Sequence, residues 1–156
     1  MVSKNGCFIV FEGIDGSGKS TQISLLKDHI EEHSINCMTT MEPSNGPIGT
    51  LLRQFLSGRI KGEETTLTAL FAADRLDHLN NPVNGIRKLL EDGIAVISDR
   101  YVFSNYAYQS VSVPLEWIMK CNEMANEIVR PDCHIFIDVA PETAMDRVSK
   151  GRHQTD

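Results

Sequence analysis

The chain has no apolar run long enough to span a bilayer, no positively charged leader with an apolar core, no excess of basic residues and no cysteine pair at metal-binding spacing. Without the first two, neither a transmembrane segment nor a secretory signal is expected, and no membrane partner. Fifteen Lys and Arg stand against 21 Asp and Glu, a formal net charge of −6. The basic face that phosphate-backbone binding requires is therefore missing, and nucleic acid is not an expected partner. Cys7, Cys37, Cys121 and Cys133 are scattered, with no histidine nearby to complete a zinc set, and three lie in apolar stretches. They read as buried thiols in a reducing compartment, the cytoplasm or, alternatively, the nucleus. Internal repeats, low-complexity tracts and linkers are absent too. What remains is a 156-residue chain, 41% hydrophobic and 23% charged, the composition of one globular domain.

Strand-like and helix-like stretches alternate along it. Residues 7–12 (CFIVFE) are a compact apolar run, rich in β-branched and aromatic residues, that ends at a glycine-rich turn, as a buried parallel strand does. Between 19 and 33, Ile23, Leu26 and Ile30 recur at i, i+3 and i+7, the stripe of a helix lying on a sheet. Further strands are expected at 36–40, 94–99 and 133–139. Helices are expected at 67–79, 83–91, 115–129 and from Pro141 towards 150, with Asn80, Asn81 and Pro82 separating the first two. This alternation implies βαβ crossovers and so an α/β fold: a parallel sheet with helices on both faces, in three layers.

Residues 13–20, GIDGSGKS, satisfy G-x-x-x-x-G-K-[ST] in full, after a predicted strand and at the start of a predicted helix, the context the motif needs. Gly13, Gly16 and Gly18 let the backbone curl so that successive N–H groups, including those of Asp15 and Ser17, face one concavity. The helix N-terminus at Lys19, Ser20 and Thr21 adds a dipole that favours phosphate. Lys19 is expected to reach the β- and γ-phosphates of a nucleoside triphosphate, and the Ser20 hydroxyl to sit on Mg²⁺. The fold is thereby a P-loop NTPase fold. No guanine-reading N/TKxD-type run appears, which favours a kinase over a GTPase.

A second group of residues suits a smaller phosphorylated partner. Asp99-Arg100-Tyr101 closes the strand GIAVISDRY, and in an open parallel sheet ligands collect at the carboxyl ends of strands. There Asp99 can hold a magnesium-bound water and Arg100 can bridge two phosphates with its planar fork; the alternative is a surface ion pair. Phe71 and Arg75, at i and i+4, share one helical face. Either they stack on and donate to a flat base, or Phe71 is core and Arg75 a solvated charge.

Four stretches, FEGIDGSGKSTQ (11–22), LFAADR (70–75), DRYVFSNYAYQ (99–109) and PDCHIFIDVAPETAMDR (131–147), resemble in order and spacing the motifs of the thymidylate kinase family. The resemblance implies transfer of the ATP γ-phosphoryl group to dTMP, with Mg²⁺ and with ATP and dTMP as partners. It implies that Phe71 stacks on thymine, Arg75 reads a base oxygen, and Arg53 and Arg100 hold the acceptor phosphate. Asn105 and Gln109 are implied to contact the base, and Tyr108 to block a ribose 2′-hydroxyl. Asp15 is implied to approach the deoxyribose 3′-hydroxyl and the metal, and Glu42 to lie near the acceptor phosphate. A homodimer formed through helices such as 67–79 is implied as well.

Met41 and Ser44 depart from the family pattern, standing where many members have Arg and Gly. Gly16 stands where some members carry a catalytic Arg. Members with glycine there supply that charge from a lid, expected here to start near residue 147, with Arg147, Lys150 and Arg152 as candidates and Arg152 favoured. The expected organisation is a single kinase domain over 1–156 that lacks its C-terminal part, roughly 40 to 60 residues by typical element lengths. Another nucleotide or nucleoside kinase, a P-loop switch without an acceptor, and a non-catalytic binding protein are the alternatives.

Overall fold

The computed structural model describes residues 5–152, except for the side chain of Arg152. Among the described residues four strands, β1 (Phe8–Glu12), β2 (Cys37–Met41), β3 (Ala95–Asp99) and β4 (Cys133–Phe136), form one parallel sheet in the order β2-β3-β1-β4. Seven helices accompany them: α1 (Lys19–Glu32), α2 (Pro47–Leu56), α3 (Glu64–Asn80), α4 (Ile86–Glu91), α5 (Val102–Gln109), α6 (Leu115–Ile128) and α7 (Pro141–Arg152).

Both faces of the sheet are apolar, which is why β1 and β3 read as continuous hydrophobic runs. Phe8 and Val10 of β1 and Val96 of β3 pack with Leu79, Ile86, Leu90, Val102, Ala125 and Val129 from α3 to α6 and the segment after it. Phe11, Ala95 and Ile97 face the other way, against Ile23, Leu26 and Ile30 of α1. The period-2 alternation of strand side chains thus feeds two cores, and the expected three-layer arrangement is present.

The order places β1 and β3 side by side in the middle, with Phe11 opposite Asp99. The chain leaves β1 to one side for β2 and later to the other for β4. The crevice at their carboxyl ends is therefore the topological switch point where ligands of open α/β sheets bind.

Several expectations need correction. Of the four cysteines only Cys37 is buried; Cys7 and Cys133 are exposed and Cys121 is half-buried. Cys133 lies on β4, at the edge of the sheet among the described residues, and its apolar stretch reaches the core through the half-buried Ile135 and Ile137 and not through Cys133 itself. β4 ends at Phe136 rather than 139, and the chain turns at 82–84, so α4 begins at Ile86. Two helices were not expected. α2 follows Pro47 at its first turn. α5 opens directly behind Tyr101, and its capping group is remote: Glu12 Oε1 accepts from the backbone N–H groups of Tyr101 (3.0 Å) and Ser104 (3.3 Å). No local capping sequence announces such a helix.

Candidate active site

The loop after β1 curls as its glycines permit: Gly16 and Gly18 have φ of +79° and +103°, values that L side chains rarely adopt. Lys19 Nζ donates to the carbonyls of Gly13 (3.0 Å) and Ile14 (3.2 Å) and lies 3.9 Å from Asp99 Oδ1. Burial, and then the nearby Arg100 cation, lower the Lys19 pKa from its usual value. A cavity of about 480 Å³ opens over this loop, lined by Asp15, Gly16, Gly18, Lys19, Ser20 and Thr21 together with Glu42, Asp99, Arg100 and Arg147. Ser17 is buried under the loop, and its Oγ has no hydrogen-bond partner. Asp99 Oδ1 is likewise buried and without one. A carboxylate oxygen with no hydrogen bond, its nearest cation Lys19 at 3.9 Å, lining the same cavity as Ser20 and the glycine-rich loop, suits a hard cation and its waters. Ser20 and Asp99 thus fit Mg²⁺.

Helix α7 sits on this loop. A Cβ at Gly16 would stand 2.3 Å from the Ala144 carbonyl oxygen, and Arg147 Nη1 donates to the carbonyls of Gly16 (3.3 Å) and Ser17 (3.2 Å). Position 16 therefore admits no side chain in this arrangement, and the described cation next to it comes from Arg147. The side chain of Arg152, the favoured lid candidate, lies outside the described residues, as do residues 153–156.

The second cavity, about 320 Å³, adjoins the first and is lined by Asp15, Glu42, Phe71, Arg75, Arg100, Asn105, Tyr108 and Gln109. It gathers every residue expected at the acceptor site except Arg53. That guanidinium instead donates to the carbonyls of Pro43 (3.0 Å) and Ser44 (2.7 Å) and to Thr50 Oγ1 (3.3 Å), securing the loop that carries Glu42. Ser44 is buried: its N–H and hydroxyl both donate to Asp74 (2.7 and 2.5 Å), and its hydroxyl accepts from the Gly46 N–H. The departure from glycine at 44 is thereby absorbed by a carboxylate on α3. Gly49 closes the same loop from α2, where a Cβ would lie 2.0 Å from the Ser44 carbonyl oxygen. Gly49→Ala should therefore displace this loop, costing about 1–3 kcal/mol as overpacking does. Denaturant melts and acceptor titrations of the variant check this.

Arg100 and Asp15 line both cavities. Arg100 has φ +75°, outside the usual L-residue range, and its side chain is tied down at three points. Nη2 donates to Asp15 Oδ1 (2.5 Å), Nη1 to Ser104 Oγ (3.0 Å), and the guanidinium lies 5.3 Å from the centre of the Tyr108 ring. Ser104 Oγ in turn donates to Glu12 Oε2 (2.5 Å). Burial alone would lower the Arg100 pKa, but Tyr108 and Asp15 outweigh it and the net shift is upward. Burial raises the Glu12 carboxyl against the hydrogen bonds that lower it. Arg75, fully buried, donates through Nε (2.8 Å) and Nη2 (2.6 Å) to Glu42 Oε2 and lies 5.1 Å from the Tyr101 ring centre. It is neither of the sequence alternatives alone: its charge is held inside the protein at the cavity wall.

Sequence reasoning gave no role to Glu12, Asp74, Ser104 and Asn122; the first three lie inside the quoted motif stretches and Asn122 lies outside them. The available signal was their chemistry: Glu12 ends an apolar strand, and Asp74 and Asn122 interrupt apolar helix stripes.

Comparisons with known proteins place the chain by sequence. The sequence profile of the family described as Thymidylate kinase matches residues 11–156. A protein named thymidylate kinase from Symbiobacterium thermophilum is 42% identical over 144 residues, covering 90% of this chain and 66% of its own length. One of the same name from Caldicellulosiruptor saccharolyticus is 39% identical over 146 residues, 92% of this chain and 69% of its own. A probable thymidylate kinase from Methanococcus aeolicus is 42% identical over 142 residues, 90% of this chain and 65% of its own. The chain spans about two thirds of the length of these relatives.

Proposed function

The chain belongs to the thymidylate kinase family, and from that premise we propose that it transfers the γ-phosphoryl group of ATP to the phosphate of dTMP, giving ADP and dTDP. The observation that carries this reading is the junction of the two cavities at Arg100 and Asp15: a phosphate loop on one side, a ring and a buried guanidinium on the other. A volume of about 320 Å³ is on the scale of a small-ligand site.

In this mechanism an oxygen of the dTMP phosphate attacks the γ-phosphorus in line while the bond to the β,γ-bridging oxygen breaks and ADP departs. The nucleophile is already an anion, so no general base is needed and no covalent enzyme intermediate forms. Catalysis consists of positioning and charge stabilisation. The loop N–H groups from Gly13 to Thr21 cradle the ATP phosphates, and Lys19 delivers its ammonium to the β- and γ-oxygens. Arg100, at the junction, contacts the acceptor phosphate and the moving phosphoryl group. Ser20 and Asp99 would hold Mg²⁺, which when bound would neutralise phosphate charge. Arg147 secures the loop from α7; Arg152 is the lid arginine of this reading. Phe71 stacks on the base, Arg75, Asn105 and Gln109 address its edge, and Asp15 and Tyr108 flank the sugar. Glu42 and Arg53 complete the acceptor wall, Arg53 by fixing the 43–44 carbonyls. The reading includes a homodimer and a cytoplasmic location. No helix among the described residues is long and apolar enough to cross a membrane.

A coupled ADP-release assay with dTMP, dUMP, dCMP, AMP and thymidine tests it. The expected result is ADP formation that depends on an acceptor and is fastest with dTMP. ADP release without any acceptor, or faster with another member of the panel, overturns the reading.

A further inference from the structure

Asn122 of α6 is fully buried and does not line the acceptor cavity, yet it hydrogen-bonds two side chains that do. Its orientation follows from donor and acceptor types. A guanidinium only donates, so the atom facing Arg75 Nη1 is Asn122 Oδ1; a carbonyl only accepts, so the atom facing Ile118 O (2.8 Å) is Nδ2. The second Nδ2 hydrogen goes to Asn105 Oδ1 (2.8 Å), which also faces Arg75 Nη1 (3.4 Å). Asn105 is thereby turned with its Nδ2 towards Gln109 Oε1 (3.0 Å). Gln109 makes no other side-chain hydrogen bond among the described residues, so its amide nitrogen is the group left for the cavity. Arg75 is constrained in the same way. Of its five N–H groups, two go to Glu42 and two to Asn122 and Asn105, leaving one.

We infer that Asn122 is a positioning residue that sets the hydrogen-bond polarity of the base edge, through Asn105 to Gln109 and directly to Arg75, so that the cavity wall presents donors. Such a wall accepts a base with carbonyl oxygens at that edge and penalises one with an amino group there, since the mismatched donors stay buried and unpaired. The inference rests on the reading of this cavity as the base pocket, and it assigns a role to a residue that never touches the base.

The test is calorimetric titration of the full chain and of Asn122→Asp with dTMP and with dCMP, alongside melting temperatures. A carboxylate at 122 cannot donate to Asn105, so the amides of Asn105 and then Gln109 reverse and an oxygen faces the cavity. The ratio of dTMP to dCMP affinity should fall about tenfold or more, the scale of one mismatched buried hydrogen bond. Should the aspartate variant not fold, Asn122→Ser carries the test. Its hydroxyl still bonds the Ile118 carbonyl but leaves Asn105 unconstrained, so the ratio should again fall. A folded variant with an unchanged ratio, or one in which both nucleotides weaken equally, overturns the inference. A native chain that binds dCMP as well as dTMP overturns the base-pocket reading itself.

Discussion

Lys19→Ala is expected to lower turnover at saturating ATP and dTMP by on the order of 10²-fold or more, with the fold intact, and Arg100→Ala to do the same with a raised KM for dTMP. In the proposed mechanism both cations stand where negative charge spreads over the transferring phosphoryl group, and each is held in place by its own contacts. Lys19 is packed into the loop by the Gly13 and Ile14 carbonyls. Arg100 is held at the junction by Asp15, Ser104 and the Tyr108 ring. The split in KM follows from the lining: Lys19 faces only the phosphate-loop cavity, whereas Arg100 faces both. The two losses should also be less than additive in the double variant, because both groups stabilise charge on the same three oxygens. Steady-state kinetics with melting temperatures as the folding control decide the matter, and near-native turnover in either single variant would sink the mechanism.

The parts legible beforehand were those whose signal is local. The phosphate loop is eight contiguous residues whose glycines, lysine and serine each have a separate physical task, and β1 up to Phe11 and β3 up to Ile97 are apolar because both faces are covered. The pairing of Phe71 with Arg75 needed only helical spacing. What could not be read locally is the set of long-range partners. Nothing around Ser104 indicates that α5 is capped by a carboxylate at the end of β1, and nothing around Ser44 shows that Asp74 waits for its hydroxyl. The exposure of Cys133 has the same kind of cause: an apolar neighbourhood in sequence is core only where another element packs on it, and among the described residues β4 is at the sheet's edge.

The buried pair Glu42–Arg75 should produce the largest loss of stability. Glu42→Ala leaves a guanidinium about 1% exposed with two amide oxygens and an aromatic face but no counter-charge. Removing one partner of a buried ion pair costs about 3–5 kcal/mol, most of it the desolvation of the charge left behind. The His78 ring, with Nδ1 3.4 Å from Glu42 Oε1 and Nε2 2.6 Å from Thr40 Oγ1, loses its contact as well, which loosens β2 from α3. The double variant Glu42→Leu/Arg75→Leu removes both charges and should recover part of that stability, since an apolar pair avoids the desolvation cost of a lone charge while the buried Asn122 Oδ1 loses its Arg75 donor. It should not recover selectivity among pyrimidine monophosphates, because the wall then lacks the remaining Arg75 N–H. Urea denaturation of the native chain and of both variants, paired with nucleotide titration, separates these effects. A loss below about 1 kcal/mol in Glu42→Ala would mean that water reaches the guanidinium and that the pair is, energetically, a surface one. Recovery of stability without recovery of selectivity would mean that this ion pair is retained for recognition of the ligand and not for the fold.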